Sequence, residues 1–323
     1  MITERGKTMQ LKLNYRRIFA VGFAFLLIQT FWGAYEVTIP NILLRKFGMS
    51  QTGSGVVMSL DNLLAVFMLP LFGAFSDKIN TRYGRRTPFI VVGTILAAFF
   101  FVWTAVVNSL WLFLIVLLAT LIAMATFRSP AVALMPDVTV KPLRSKANAV
   151  INLMGAIGTI SAMILGIVFN TSEKGKTDFV HYFIVIGALM MIALIIFLIF
   201  VRENQWAQEM RGLTEKYDLD AESEERKEHG GKLSRGQLTS LIFLLSSVVL
   251  WFTGYNAITS KLSPYVGDLL KYDYNVAFII ANGAAIVSFI PVGILSTKIG
   301  RKKAIIAGVS LLTVSFFIAS FIR

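Results

Sequence analysis

Nine separate apolar runs, each long enough to cross a bilayer, constrain this chain more than any other feature. They lie at roughly 18–43, 53–75, 88–108, 110–135, 146–169, 180–201, 237–259, 274–297 and 303–322. Each is close to the ~20 residues that a helix needs to span the hydrocarbon core. The runs are continuous rather than alternating, so helices, not barrel strands, are what satisfy their backbones in lipid. A chain with 56% hydrophobic residues and a mean hydropathy of +0.70 carries more apolar surface than a soluble core buries. The run at 18–43 follows a basic N-terminus and is longer than the apolar core of a cleaved leader, so it reads as a retained first helix. The sequence has no cysteine, which excludes disulfides and thiolate metal sites.

The net charge of +13 would suggest nucleic acid in a soluble protein. Between membrane spans it reports orientation instead. With the N-terminus inside, the cytoplasmic segments hold 23 of the 31 Lys and Arg and the external segments hold seven; Arg128 lies within the fourth span. This bias predicts an integral protein of the cell membrane with a cytoplasmic N-terminus and the lipid bilayer, not nucleic acid, as its surroundings. Residues 202–236, with seven basic and nine acidic side chains, read as a solvated cytoplasmic linker, partly helical around Gln208 to Tyr217.

The chain also repeats itself. Gly73-Ala-Phe-Ser-Asp77 leads into Gly84-Arg85-Arg86, and Gly293-Ile-Leu-Ser-Thr297 leads into Gly300-Arg301-Lys302. Gly73 and Gly293 differ by 220, as do Tyr35-Glu36 and Tyr255-Asn256; the offset at Gly84 and Gly300 is 216 because the first loop is four residues longer. Two parallel halves of this kind predict a duplicated carrier, with an all-α polytopic bundle of two parallel pseudo-repeats. The domains are then a six-helix bundle over 1–201, the linker 202–236, and three helices over 237–323. A fourth helix of the second half would start near 330, beyond Arg323. The chain therefore reads as C-terminally truncated, with nine helices present of an expected twelve.

Two acids fall inside spans. Glu36 on the first and Asp61 on the second each lie about eight residues, or ~12 Å, from the outer edge. Burying an ionised acid there costs ~2.5–3.5 kcal/mol on insertion scales, so intramembrane acids mark functional sites or interhelical hydrogen bonds. A carboxyl in this setting can bind a proton near neutral pH, which makes Glu36 and Asp61 proton-coupling candidates. Glu36 and its repeat mate Asn256 would face a cavity shared by the halves. Tyr35 and Tyr255 beside them suit a sugar, ring face on C–H surface and hydroxyl on hydroxyl; equally, they suit headgroup anchoring. Gln29 and Asn62 are further polar candidates for the cavity. Arg128, about eighteen residues into its span from outside, reads as snorkelling to the cytoplasmic surface. In the fifth span, Asn148 and Asn152 share a face, and Gly155, Gly158 and Gly166 predict close helix contact. His181 and His229 lack ligand spacing, so no metal site is implied. No phosphate-binding loop, nucleophile–base pair or cofactor motif is present, so neither an enzyme nor an ATP-driven pump is expected.

The loop Gly73-x-x-x-Asp77 to Gly84-Arg85-Arg86 resembles the loop between helices 2 and 3 of the major facilitator superfamily. The longer form Ser76-Asp77-Lys78-Ile-Asn-Thr-Arg82-Tyr83-Gly84-Arg85-Arg86-Thr87-Pro88 is similar to that of the plant sucrose–proton symporters, their animal relatives and the glycoside–pentoside–hexuronide cation symporters. Ser129-Pro130 through Pro136-Asp137, then Arg144-Ser-Lys146-Ala-Asn148, resembles the helix 4 to helix 5 turn of the same group; Val132 stands where the plant members have an arginine, and Thr297 where the second loop would have its acid. The resemblance implies cation-coupled symport of a sugar or glycoside by alternating access, with a small solute and a proton or sodium as partners and no cofactor. It makes Asp137, on residues alone a solvated loop acid, a third coupling candidate. It also makes the two loops (Gly73, Asp77, Gly84, Arg85, Arg86; Gly293, Gly300, Arg301) a gate, against the simpler reading that their basic residues only fix topology. A proton-driven efflux carrier for amphipathic compounds and a truncated, non-transporting membrane protein are the alternatives.

Overall fold

The computed structural model describes residues 2–4, 7–9, 13–173, 175–216 and 235–321. His229 and the end of the expected helix at Tyr217 lie outside the described residues. A short antiparallel hairpin pairs Ile2–Glu4 with Lys7–Met9. The longer elements described after it are helices: α1 (Tyr15–Asn41), α2 (Gln51–Lys78), α3 (Thr87–Val106), α4 (Leu110–Asp137), α5 (Arg144–Val168), α6 (Val180–Phe200), α7 (Glu203–Lys216), α8 (Arg235–Pro264), α9 (Tyr274–Ile299) and α10 (Arg301–Ala319). Eight of these are long and apolar enough to cross a membrane. The ninth expected span is α9, 26 residues long, whose apolar stretch runs Tyr274–Ser288. The end of the bundle at which Tyr15 lies is called the inner end below.

Helices α1 to α6 form one bundle. Its core gathers Phe31, Phe101, Phe127 and Phe183, with Phe101 stacked on Phe183 at 4.1 Å between centroids. Such offset ring pairs add ~0.5–1.5 kcal/mol beyond their buried area. Helix α1 is buried nearly all round, and it packs on α5 through small residues. A Cβ at Gly158 would stand 2.5 Å from the Leu26 carbonyl oxygen, and one at Gly155 3.0 Å from Gln29 Cγ. The close contact expected of these glycines is present, whereas Asn148 and Asn152 are exposed. The outward faces of α3, α4 and α6 expose Phe99, Trp111 and Ile199, the apolar surface that lipid covers.

The repeat is visible in the backbone. Both α1 and α8 end in a five-residue π-helical turn, Ile42–Lys46 and Tyr265–Leu269. Both loop glycines hold positive φ, +124° at Gly84 and +89° at Gly300, a region that only glycine enters freely.

The linker departs from its expected solvated state in its first part. Helix α7 lies against the inner end of the first bundle, with Trp206 and Ala207 buried and Arg17 both paired to Glu209 at 2.7 Å and stacked over the Trp206 ring. Residues 217–234 of the expected linker lie outside the described residues.

Candidate functional site

A cavity of about 1050 Å³ opens between α1, α2 and α8. Among its walls are Tyr35 and Glu36 of α1, Asp61 and Asn62 of α2, and Asn256 and Lys261 of α8. These residues come from three helices and from both repeats. Pro40 lies within the outer part of α1 and Pro70 within the inner part of α2. Asp61 Oδ1 accepts from Asn62 Nδ2 at 2.9 Å and from the Asn62 backbone N–H at 2.7 Å. The Tyr35 hydroxyl is buried and has no hydrogen-bond partner among the described residues. Its ring stacks on Phe31 at 5.6 Å and meets Trp32 edge-on at 5.1 Å. Tyr255 stacks on Trp251 at 5.6 Å and lies within electrostatic reach of Glu36.

Arg128 departs from the expected snorkelling. Its guanidinium lies over the Trp32 ring, 5.3 Å from the centroid, and within electrostatic reach of both Glu36 and Asp61. Two carboxylates and a guanidinium from α1, α2 and α4 thus share one half-buried region. The expectation failed because position along a helix fixes only the height of Cα. The direction of a long side chain follows its partners on other helices. A cation in mid-span opposite two intramembrane acids was the signal that could have found the trio. Gln29 is not among the cavity-lining residues; it faces Gly155 of α5.

Asp137 stands apart from this cavity, at the inner end, among the loop residues. Its Oδ2 accepts from Arg86 Nε at 2.9 Å and Arg85 Nη2 at 3.2 Å. Arg86 also reaches Asp77 Oδ1 at 2.5 Å and the Ser76 hydroxyl, and its Nη1 lies 3.4 Å from the Gly73 carbonyl oxygen. The first-loop gate candidates therefore form one network joining the end of α2, the start of α3 and the end of α4. In the second copy, Gly293 lies within α9, Gly300 at the α9–α10 junction and Arg301 at the first residue of α10.

Glu203, to which the sequence assigned no role, completes the inner network. Its carboxylate accepts the backbone N–H of Arg85, Arg86 and Thr87 at 2.7–2.9 Å and the Thr87 hydroxyl at 2.8 Å. The residue is 3% exposed. It caps the N-terminus of α3, where free N–H groups and the helix dipole favour an anion. A Cβ at Gly84 would overlap this carboxylate at 2.1 Å.

At the outer end the two repeats meet. Arg45 pairs with Asp268 at 2.7 Å and donates to the Glu173 carbonyl at 3.0 Å. Asn41 donates to the Ser263 hydroxyl at 2.8 Å, Tyr274 to the Thr171 carbonyl at 2.5 Å, and Lys261 to the Gln51 carbonyl at 2.5 Å.

A family model described as Major Facilitator Superfamily matches residues 21–323. Sucrose transport protein SUC3 of Arabidopsis thaliana is 28% identical over 171 residues, a stretch covering 46% of this chain and 28% of that protein. Sucrose transport protein SUC4 of the same plant is 32% identical over 68 residues, covering 21% of this chain and 13% of that one. The matches thus span under a third of either relative's length. Among solved structures, the inward-open xylose transporter XylE from E. coli superposes with a TM-score of 0.58 at 13% identity, covering 88% of this chain and 69% of that one. At that identity the likeness is one of fold.

Proposed function

Since the chain belongs to the Major Facilitator Superfamily, we propose that its central cavity carries a sugar or glycoside across the cell membrane together with a proton. The observation that bears most on this reading is the meeting of Glu36, Asp61 and Arg128 beside a cavity walled by both repeats. Two acids face one fixed cation, so the group holds one carboxylate beyond what Arg128 neutralises. A single added proton balances it. The balanced state is the one that crosses a low-dielectric barrier at least cost. The unpartnered Tyr35 hydroxyl, with Asn62 and Asn256, offers the hydrogen-bonding groups a polyol needs, and a buried polar atom without a partner is uncommon enough to suggest a ligand. The likeness to sucrose transport proteins supports a sugar as solute.

The contacts between the repeats at the outer end close the cavity on that side in this reading. The lysine and arginine bias places the inner end in the cytoplasm, so this arrangement corresponds to the inward-facing half of an alternating-access cycle. Asp137, held between two arginines, acts in this reading as part of the inner gate and not as the coupling acid. The test is uptake by the chain in proteoliposomes with an internal pH indicator, over a panel of sugars and glycosides. A transported sugar should acidify the lumen. Glu36→Gln and Asp61→Asn should each abolish acidification, while Asp137→Asn should slow cycling and leave the proton-to-sugar ratio unchanged. Solute-driven acidification that survives in both Glu36→Gln and Asp61→Asn would overturn the assignment. Acidification driven instead by amphipathic cations moving the other way would favour export.

A further inference from the structure

We propose that a second, smaller cavity at the inner end is a binding site for a phosphate monoester. This cavity, about 290 Å³, lies between the start of α3, the α4–α5 turn and α7, and is lined by Arg85, Asp137, Thr139, Arg144, Arg211 and Glu215 among others. It is separate from the solute cavity and shares no residue with it.

Three arginines reach it from three different elements. Arg85 shares Asp137 with Arg86, so the Asp137 charge is already met. Arg144 is braced by main-chain oxygens alone, donating from Nη2 to Pro136 at 3.0 Å and from Nε to Thr139 at 3.2 Å. Those bonds orient the guanidinium and leave its charge without an acid among the described residues. Arg211 is exposed on α7 and also lines the cavity. Among the described lining residues Glu215 is the one acid left to offset Arg144 and Arg211, so that lining carries an excess of positive charge. A pre-oriented guanidinium and a second one lining the same small cavity suit the tetrahedral, doubly charged oxygens of phosphate.

An independent observation points the same way. Thr139 is 3% exposed, and its hydroxyl is buried without a hydrogen-bond partner among the described residues. The residue lines the cavity, and turning its hydroxyl toward that space would give it a phosphate oxygen as partner. The walls are also fixed in place, since α7 is anchored by Glu203, Trp206 and the Arg17–Glu209 pair. An anion bound here would tie α7 to the α4–α5 turn and so brace the inner gate.

The phosphate can come from a lipid headgroup of the adjoining leaflet or from a soluble ester, and the test separates the two. The purified full chain is melted in detergent with inorganic phosphate against chloride at equal ionic strength. It is also reconstituted in phosphatidylcholine nanodiscs with and without phosphatidic acid. Stabilisation by inorganic phosphate indicates a soluble source; stabilisation by phosphatidic acid alone indicates the lipid. In either case Arg144→Gln with Arg211→Gln should weaken the response about tenfold or more, as expected for charge-assisted hydrogen bonds. A control pair at the same end, Arg235→Gln with Lys303→Gln, should keep it. Because Arg144 also braces a turn, Arg211→Gln alone must weaken the response too. No response to either probe, an equal response in the double variant, or full retention in Arg211→Gln would each overturn the proposal.

Discussion

Arg128 shows how one side chain sets the electrostatics of the whole cavity. Its guanidinium rests on the Trp32 ring, and Glu36 and Asp61 both lie within its field. A cation over an indole gains ~0.5–2 kcal/mol, more as water is removed. The two acids add attraction that water would otherwise screen. Arg128→Gln removes the cation and leaves two carboxylates facing each other. Stripping one partner from a buried charge group costs about 3–5 kcal/mol, so this variant should melt earlier in detergent and lose at least ~10-fold in uptake. The compensating double variant Arg128→Gln with Asp61→Asn returns the group to a single excess carboxylate, as in the wild type, and should recover the melting temperature without recovering coupled uptake. Identical melting and uptake in wild type and Arg128→Gln would show that the trio carries no energetic weight.

Among the elements, α3 and α7 are joined by a single carboxylate. Four donors converge on Glu203, and the fit depends on Gly84. A side chain at Gly84 would suffer twice: its φ of +124° is strained for any L residue, and its Cβ would strike Glu203. Strain of that kind is worth about 1–3 kcal/mol. Gly84→Ala should therefore lower the melting temperature and free α7, read as faster amide exchange over Glu203–Lys216. Glu203→Gln keeps the shape but removes the charge at the helix end, and should show the same loosening more weakly. Unchanged exchange in both variants would mean that α7 is held by Trp206 packing and the Arg17–Glu209 pair instead. Much of this frame was legible in the sequence. The lengths of the apolar runs located the spans, and Gly84 and Gly300, matched across the repeat, marked the two turns that need positive φ. Glu203 was not legible. One buried acid leaves no trace in a segment that is charged throughout, and its four donors are mainly backbone groups that no residue pattern reveals. Gln29 failed for a related reason. Helix α1 is apolar on every side, so its sequence does not say which face meets α5 and which meets the cavity.

For the whole molecule, what matters is where the two repeats touch. Among the described residues their polar contacts gather at the outer end, where the matched π-helical ends of α1 and α8 come together through Arg45 and Asp268. In an alternating-access carrier such contacts must form and break once per cycle, so their worth sets the balance between the two states. The Arg45 side chain is 11% exposed and that of Asp268 47%. A pair so open to water contributes no more than about 1 kcal/mol, which corresponds to about a fivefold shift in population. The absence of cysteine from the chain makes a direct readout available. Thr253→Cys places a single thiol on the cavity wall, where a membrane-impermeant reagent added outside reports outward opening. Arg45→Glu sets two acids against each other and should raise the external labelling rate several-fold. Exchanging the charges, with Arg45→Asp and Asp268→Arg, should return it toward the starting value. A labelling rate unmoved by Arg45→Glu would place the outer seal on Asn41, Ser263 and Tyr274 instead, where the hydrogen bonds are buried and losing one leaves an unpaired polar group at a cost of about 1–3 kcal/mol.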